Sequence, residues 1–577
     1  MTKHQMVKWI LIFCLVLSCG IFISLFQETK YEVETVAVTG TSLESWSIED
    51  SVLNGAPLEE KKSIYNLDTV GDVSTVYITV FPTEDENGNM LDFSAFDLHT
   101  ARNHDYNPVL NANVQFGDSD GKLNDLKNLD QVNATIRVRG NSSRGASFKS
   151  YKVKLKEDTE SFNGQTVLNI NKHVGDVSKI TNKFCMDMMS QIDDVSSFLT
   201  NFMIVYIRDA SLPQNEQKYE YYGLYTNVEQ PNKSYLKRRG LDSNGSLYKA
   251  MNFEFRMYPE LKNVDDPEYD ESAFETVLKI REGSDHSKLL KMLNDINDMN
   301  QDFNQVFHKY FNEENYLTWI ACNVLLGNED TIAHNFILYN PVNSLTWYML
   351  PWDYDGTFKF GKHHSSFLAP TPLMGIQRLS GVLLHRRYFM QPGNIDKLTA
   401  KIDELLETSF TEDQVNSLLD KYRPVLNDTM SKYPDVMLLE MSPSELNKYL
   451  NQFYNQILVN YDNYISALKY PMPMFVSEPE RREDGSVHFT WETSYSYSGD
   501  FIKYNITLAR DYKMKNMIFT QKGLINNYYD YTGKLPSGTY YLKVTAVDSN
   551  GNEQYSLDSY TSPVDGFVFG VREVVID

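Results

Sequence analysis

From Val7 to Phe26 the chain is apolar, with no charge after Lys8. At 1.5 Å per residue such a run spans a bilayer, and Lys3, His4 and Lys8 on its N-terminal side predict that end inside. The expectation is a signal anchor over residues 1–30, hence a single-pass membrane protein whose bulk is extracytoplasmic. A cleaved signal peptide, giving a secreted protein, is the alternative; the run is long for one and lacks an A-x-A-like exit. Residues 31–71 are polar, rich in Ser, Thr and Glu, and read as a stalk.

Past residue 72 the period becomes two. Ser74–Phe81 is β-branched and aromatic, and Val132, Ala134, Ile136 and Val138 alternate with Asn133, Thr135, Arg137 and Arg139. Tyr151, Val153 and Leu155 alternate with lysines in the same way, and 201–208 and 222–228 make a further strand pair. A helix is expected near Ile180–Met189. After residue 230 the spacing turns helical, over roughly 287–310, 312–326, 394–409, 412–430 and 444–468, with a capping box and an N1 proline at Ser442-Pro443-Ser444-Glu445. The period returns to two beyond the Tyr470-Pro471-Met472-Pro473 linker, and turn signals at Asp484-Gly485, Pro536-Ser537-Gly538 and Asn550-Gly551 separate the strands. The expected class is α+β: a two-lobed domain over 72–469, with a β-rich N-lobe, a helical C-lobe and a ligand cleft between them, then an all-β sandwich over 474–577.

A length of 577 residues exceeds one hydrophobic core, in keeping with several domains. The net charge of −23 repels phosphate backbones and argues against nucleic acid as a partner. Of four cysteines, Cys14 and Cys19 lie in the apolar run; Cys185 and Cys322 read equally as one bridge or two buried thiols.

Three segments carry candidate chemistry. Asp330 and Asn335 follow a helix end at Gly327 with the spacing Asp-x-x-x-x-Asn, which a kinase catalytic loop uses to pair a proton acceptor with a magnesium ligand. Past a two-strand hairpin comes Pro351-Trp352-Asp353-Tyr354-Asp355-Gly356, whose carboxylates suit a hard cation beside nucleotide phosphates. The stretch 139–152 joins two strands by a loop of Gly, Ser and four cations, Arg139, Arg144, Lys149 and Lys152, as a triphosphate requires, although it is no Walker loop.

In this order, Arg139-Gly140-Asn141-Ser142-Ser143-Arg144 to Lys149-Ser150-Tyr151, Tyr222-Gly223-Leu224-Tyr225 to Val228-Glu229-Gln230, Asp330 to His334-Asn335, and Pro351-Trp352-Asp353-Tyr354-Asp355 resemble the signature of the spore-coat protein H (CotH) kinase family over about residues 72–465. The resemblance implies a much-altered protein-kinase fold and transfer of the ATP γ-phosphoryl group to Ser or Thr of exported proteins, with Mg²⁺ or Mn²⁺. It places Asp330 as the catalytic-loop Asp and Asp353 as the metal-binding Asp. Lys149 is the leading phosphate contact, Glu229 lies in the Val-Glu-Gln segment, and Arg144 and Lys152 support the phosphate side. Asn335, on spacing, and Asp355 complete the metal set. Two departures bear on nucleotide affinity: Phe148 replaces a cation, and Gly356 stands where many relatives carry an aromatic. The 535–548 region similarly resembles a fibronectin type III module, which implies a surface or cell-wall partner. A non-catalytic coat or surface scaffold with a kinase-like fold is the competing reading.

Overall fold

In the computed structural model the residues described are 55–67, 70–98, 106–117, 128–140, 142–358, 370–439 and 441–577. The expected anchor, 1–30, lies outside them. Among the described residues no helix is long and apolar enough to cross a membrane. The single-pass membrane assignment and its transmembrane helix are corrected accordingly: the sole basis for them was the apolar run, and nothing in the folded structure carries them.

The period-two half closes into a seven-stranded barrel. Its strands are β1 (Val73–Val80), β2 (Leu110–Gly117), β3 (Ala134–Arg139), β4 (Ser150–Leu155), β5 (Val167–Asn171), β6 (Thr200–Asp209) and β7 (Glu220–Glu229). Neighbours run β1-β2-β3-β4-β5-β7-β6, and β6 returns to pair with β1 in parallel. Alternation explains the closure. Val76, Ile78, Ile136, Val138, Tyr151, Val153, Ile170 and Met203 point into one core, while Arg137, Arg139 and Lys152 take the outer face. Strand β2 and strand β5 were not anticipated.

The expected helix appears as α1 (Thr181–Met189), buried throughout. The helical half also holds a four-stranded antiparallel sheet, β9-β8-β10-β11, built from β8 (Ser246–Ala250), β9 (Leu278–Glu282), β10 (Phe336–Asn340) and β11 (Tyr348–Pro351). Helix α2 (Glu313–Leu326) has twelve buried residues and stops at Gly327, whose φ of 64° is the left-handed C-cap that glycine supplies without strain. The 287–310 helix is two, Ser287–Asn297 and Phe303–Tyr310, because Asp302 caps a new helix by accepting from the Asn304 and Gln305 amides. Further on lie α3 (Ile376–Leu379), α4 (Leu383–Phe389), α5 (Glu412–Thr429), α6 (Asp435–Leu438) and α7 (Phe453–Ala467). The capping box at Ser442 forms as expected, with Pro443 in the first turn.

In the C-terminal part a three-stranded sheet (β12 Glu480–Arg481, β13 Val487–Thr490, β16 Tyr528–Tyr531) shares one core with a five-stranded sheet. The latter comprises β14 (Lys503–Ala509), β15 (Met517–Leu524), β17 (Gly538–Val547), β18 (Glu553–Tyr555) and β19 (Arg572–Ile576). Trp491, Ile506, Leu542 and Val574 meet inside it.

Part of the polar segment expected as a stalk is packed. Leu58 and Ile64 are buried, Lys61 donates its amide to the Arg239 carbonyl at 2.8 Å, and Glu60 reaches the Arg239 guanidinium at 3.3 Å. Cys185 and Cys322 are both buried free thiols. Burial pushes Cys322 up to about 12, so it stays protonated.

Candidate active site

The hairpin of β10 and β11 assembles the acidic side of the site. Its register pairs Phe336 with Pro351, so the loop entering β10 and the loop leaving β11 emerge side by side. The first carries Asp330 and Asn335, the second Asp353 and Asp355. Asp330 Oδ2 accepts from Asn335 Nδ2 at 2.7 Å, and Asp330 Oδ1 lies 3.0 Å from His334 Nε2. A Cβ built on Gly356 would stand 3.5 Å from the Asp330 Cβ, which measures how closely the loops approach. Asn335 and Asp353 both have left-handed backbone, φ 59° and 62°, a conformation that Asn and Asp tolerate better than most residues.

Helix α1 holds the second loop in place. Buried Asn182 accepts from the Tyr354 amide, between the two aspartates, at 2.8 Å. Cys185 Sγ lies 3.5 Å from Thr357 Oγ1, and Phe184 packs edge-on against Phe358. Burial and neighbouring Asp355 push the Asp353 carboxyl up, against the opposing pull of Lys249, Arg139 and His173. Buried His173 Nδ1 is 3.6 Å from Asp355 Oδ2, and among the described residues its Nε2 has no hydrogen-bond partner.

Cations from two sheets face these carboxylates. On the barrel, Arg137 of β3 is paired directly with Lys152 of β4, and Arg139 lies on the same face. On the other sheet, Lys249 of β8 is paired directly with Lys279 of β9, with Arg281 two residues further. The mutual effects confirm that the two sets converge. Burial, then Arg137, Arg281, Arg139 and Lys279, pull Lys152 down to about 8. Burial pulls Lys249 down to about 8, with Arg281, Arg139 and Lys279 adding to it and Asp353 opposing. Arg139 falls to about 10, burial outweighing the attraction of Asp353. Like charges directly across a sheet destabilise it by roughly 0.2–1 kcal/mol per pair, and each of the two sheets carries such a pair.

The remaining expected residues sit elsewhere. Lys149 is buried, donates to the Ala146 carbonyl at 2.6 Å and lies beside Asp97. Arg144, in the 3₁₀ turn Ser142–Gly145, reaches Asn107 Oδ1 at 3.3 Å and the Tyr106 carbonyl at 3.4 Å. Glu229 is buried and takes both guanidinium nitrogens of Arg239, at 3.0 and 2.8 Å, besides pairing with Arg238 and accepting from the Leu199 amide. Of the basic loop's four cations, Arg139 and Lys152 belong to the converging set. Lys249 and Arg281 were missed because strands β8 and β9 were not foreseen. The alternation of Arg137 and Arg139 with barrel residues was a visible signal of their shared face.

The Tyr222-Gly223-Leu224-Tyr225 segment has a packing role. Buried Asp435 of α6 accepts from the Leu224 amide at 2.9 Å and from Lys172 Nζ at 2.8 Å, and any side chain on Gly223 (φ 91°) would overlap its carboxylate.

A family model described as CotH kinase protein matches residues 136–465. The chain belongs to the CotH kinase family. The inner spore coat protein H of Bacillus subtilis (strain 168) is 23% identical over 330 residues, 56% of this chain and 86% of that one. A crystal structure of the Helicobacter pylori proinflammatory kinase CtkA matches 55% of this chain and 94% of its own at 12% identity, with a TM-score of 0.21, too low to establish a shared fold. The CotH match covers the barrel from β3 onward, the four-stranded sheet and every candidate residue named above, so membership and site geometry concern the same part of the molecule. The C-terminal sheets fall outside it.

Proposed function

We propose that this CotH-family chain is a protein kinase that moves the γ-phosphoryl group of ATP to a Ser or Thr hydroxyl of a protein. The observation that carries the reading is the facing of two like-charged cross-strand pairs, Arg137/Lys152 and Lys249/Lys279, beside the Asp353–Asp355 and Asp330–Asn335 loops. Cations clustered at such cost call for a polyanion, and the carboxylates beside them call for a divalent cation and a proton acceptor.

Among the described residues no three His, Cys, Asp or Glu side chains converge as a closed metal site would need. Magnesium keeps waters and takes one or two protein carboxylates with the rest from phosphate. Asp353 and Asp355 fit this ion, since the repulsion between them eases when a cation lies between. Asn335 has its amide nitrogen engaged with Asp330, which leaves its side-chain carbonyl oxygen to serve as a metal ligand. When bound, the ion neutralises charge building on the transferred group.

The protein's own side chains do the rest. Arg139, Lys152 and Lys249 clamp the phosphates and hold the leaving group in line. Asp330, with 44% of its side chain exposed, is open to an incoming hydroxyl and accepts its proton, while Asn335 and His334 fix its rotamer. The test is incubation of the chain with γ-labelled ATP and Mg²⁺ or Mn²⁺, beside Asp353→Ala. Metal-dependent labelling of the chain or of casein, lost in the variant, is the expected result. Equal labelling by both proteins refutes the assignment of Asp353, and failure to bind ATP at all turns the reading toward a scaffold.

A further inference from the structure

Segment 371–389, carrying α3 and α4, has one side on the C-terminal sheets and the other on the site. On the outer side fully buried Gln554, on β18, donates to the Pro471 carbonyl at 2.8 Å and the Pro372 carbonyl at 2.5 Å. Tyr497, ahead of β14, donates its hydroxyl to Gln377 Oε1 at 3.0 Å. Buried Gln377 in turn donates to the Ala467 and Tyr470 carbonyls, at 2.8 and 3.2 Å, so one side chain ties α3, the end of α7 and the sandwich together. Gly381 faces Leu557 and Phe475 so closely that a Cβ would come within 3.3 Å of each. Arg386 of α4 donates to the Pro473 carbonyl at 2.7 Å.

On the inner side, the residue next to Gln377 is Arg378, which holds Glu329 at 2.7 Å, and Glu329 precedes Asp330. Met374, Arg378 and Leu379 line a cavity of about 180 Å³ together with Asn328 and Glu329. A path of hydrogen bonds joined by chain neighbours therefore runs from the sandwich through Gln377 and Arg378 to the turn bearing the proton acceptor. At its inner end the path reaches the turn that lies against Gly356 of the Asp353 loop.

We propose that the C-terminal sandwich is a positioning element of the acceptor side of the site: through Gln554, Tyr497 and Gln377 it fixes the wall against which a protein substrate docks beside Asp330. This rests on the kinase reading for its substrate. It gives the sandwich a part in acceptor recognition rather than only the spacing or docking role its β architecture suggested. Gln554, Tyr497 and Gln377 are positioning residues; they act through Arg378 and Glu329, and a misplacement of about 1 Å is enough to cost on the order of 10²-fold in such a site.

The test is the full-length chain with the double substitution Tyr497→Phe and Gln554→Ala, read in two ways. In hydrogen exchange, amides of 371–381 and 328–331 lose at least tenfold protection while barrel strands β3–β5 keep theirs. In labelling assays with casein, KM for casein rises five-fold or more while KM for ATP stays within two-fold. Unchanged protection at 328–331, or a loss spread equally over the barrel, overturns the proposal, and so does an equal rise in both KM values. If the unaltered chain labels nothing, the kinase reading fails, and the exchange measurement still decides whether the sandwich holds this wall.

Discussion

Glu229 and Asp353 both lie at strand ends, and their surroundings give them opposite duties. Glu229 is closed off by Arg239 and Arg238, with the Leu199 amide completing its shell. Asp353 is half-buried among groups whose charges do not balance locally. Glu229→Ala leaves Arg239 buried without its main partner and should cost about 3–5 kcal/mol, seen as a lowered Tm, with unchanged ATP affinity in the protein that stays folded. Lys152→Met should do the reverse. It relieves the pairing with Arg137, so ligand-free stability rises by roughly 0.2–1 kcal/mol, while ATP binding measured by calorimetry weakens. The pH dependence follows from the same residue. Lys152 in the free protein titrates near 8, and bound phosphate, favouring the charged form, raises that value in the complex. Affinity for a non-hydrolysable ATP analogue is thus flat below pH 8 and falls as pH rises beyond it, by up to about tenfold per unit from this group. The Lys152→Met variant should lack that part of the slope. Asp330→Asn should lower labelling by about 10²–10⁴-fold, the range of a lost general base, with Tm unchanged because the residue is exposed.

At the scale of elements, the site is a product of one hairpin and one helix. Strands β10 and β11 bring two loops together, and α1 grips the second loop, with the Asn182 carboxamide as its bond to the backbone between the two aspartates. Asn182→Ala leaves the Tyr354 amide unpaired, at a cost of about 1–3 kcal/mol, and frees the Asp353–Asp355 turn. The expected reading is a rise in the Mg²⁺ concentration needed for half-maximal labelling larger than the change in KM for ATP; no change in the metal requirement would show that the hairpin alone sets the turn. Gly223 is the corresponding constraint on the barrel. Gly223→Ala meets the Asp435 carboxylate in a left-handed position and should lower Tm by several degrees, since that carboxylate, which fastens α6 to β7 through the Leu224 amide, must shift.

Across the whole molecule, the parts that were legible and those that were not separate by the range of the interactions involved. Alternation of side chains gives barrel strands β1, β3, β4, β6 and β7 directly, because a half-buried strand shows its two faces in a run of six residues. Strand β8, in Ser246–Ala250, escaped notice since it is short and lies amid helical sequence. Residues 55–67 read as a polar stalk, yet Glu60 and Lys62 find their partners in Arg239 and the Ile192 carbonyl, more than a hundred residues away. Composition carries no record of such pairings.

The chain's sequence by itself determined five of the seven barrel strands, the order of the family's motifs, and the acidic residues that bear the proposed chemistry. These follow from local periodicity and from residue types at fixed spacing. Tertiary structure alone decided which cations belong to the site. Of the basic loop's four cations, Arg139 and Lys152 lie on barrel strands whose pleat turns them outward, beside Arg137, toward the sheet that supplies Lys249 and Arg281, whereas Arg144 sits in a 3₁₀ turn and Lys149 donates to the Ala146 carbonyl. A two-residue period assigns a side chain to a face; only the closing of one sheet and the packing of another against it decide what that face meets.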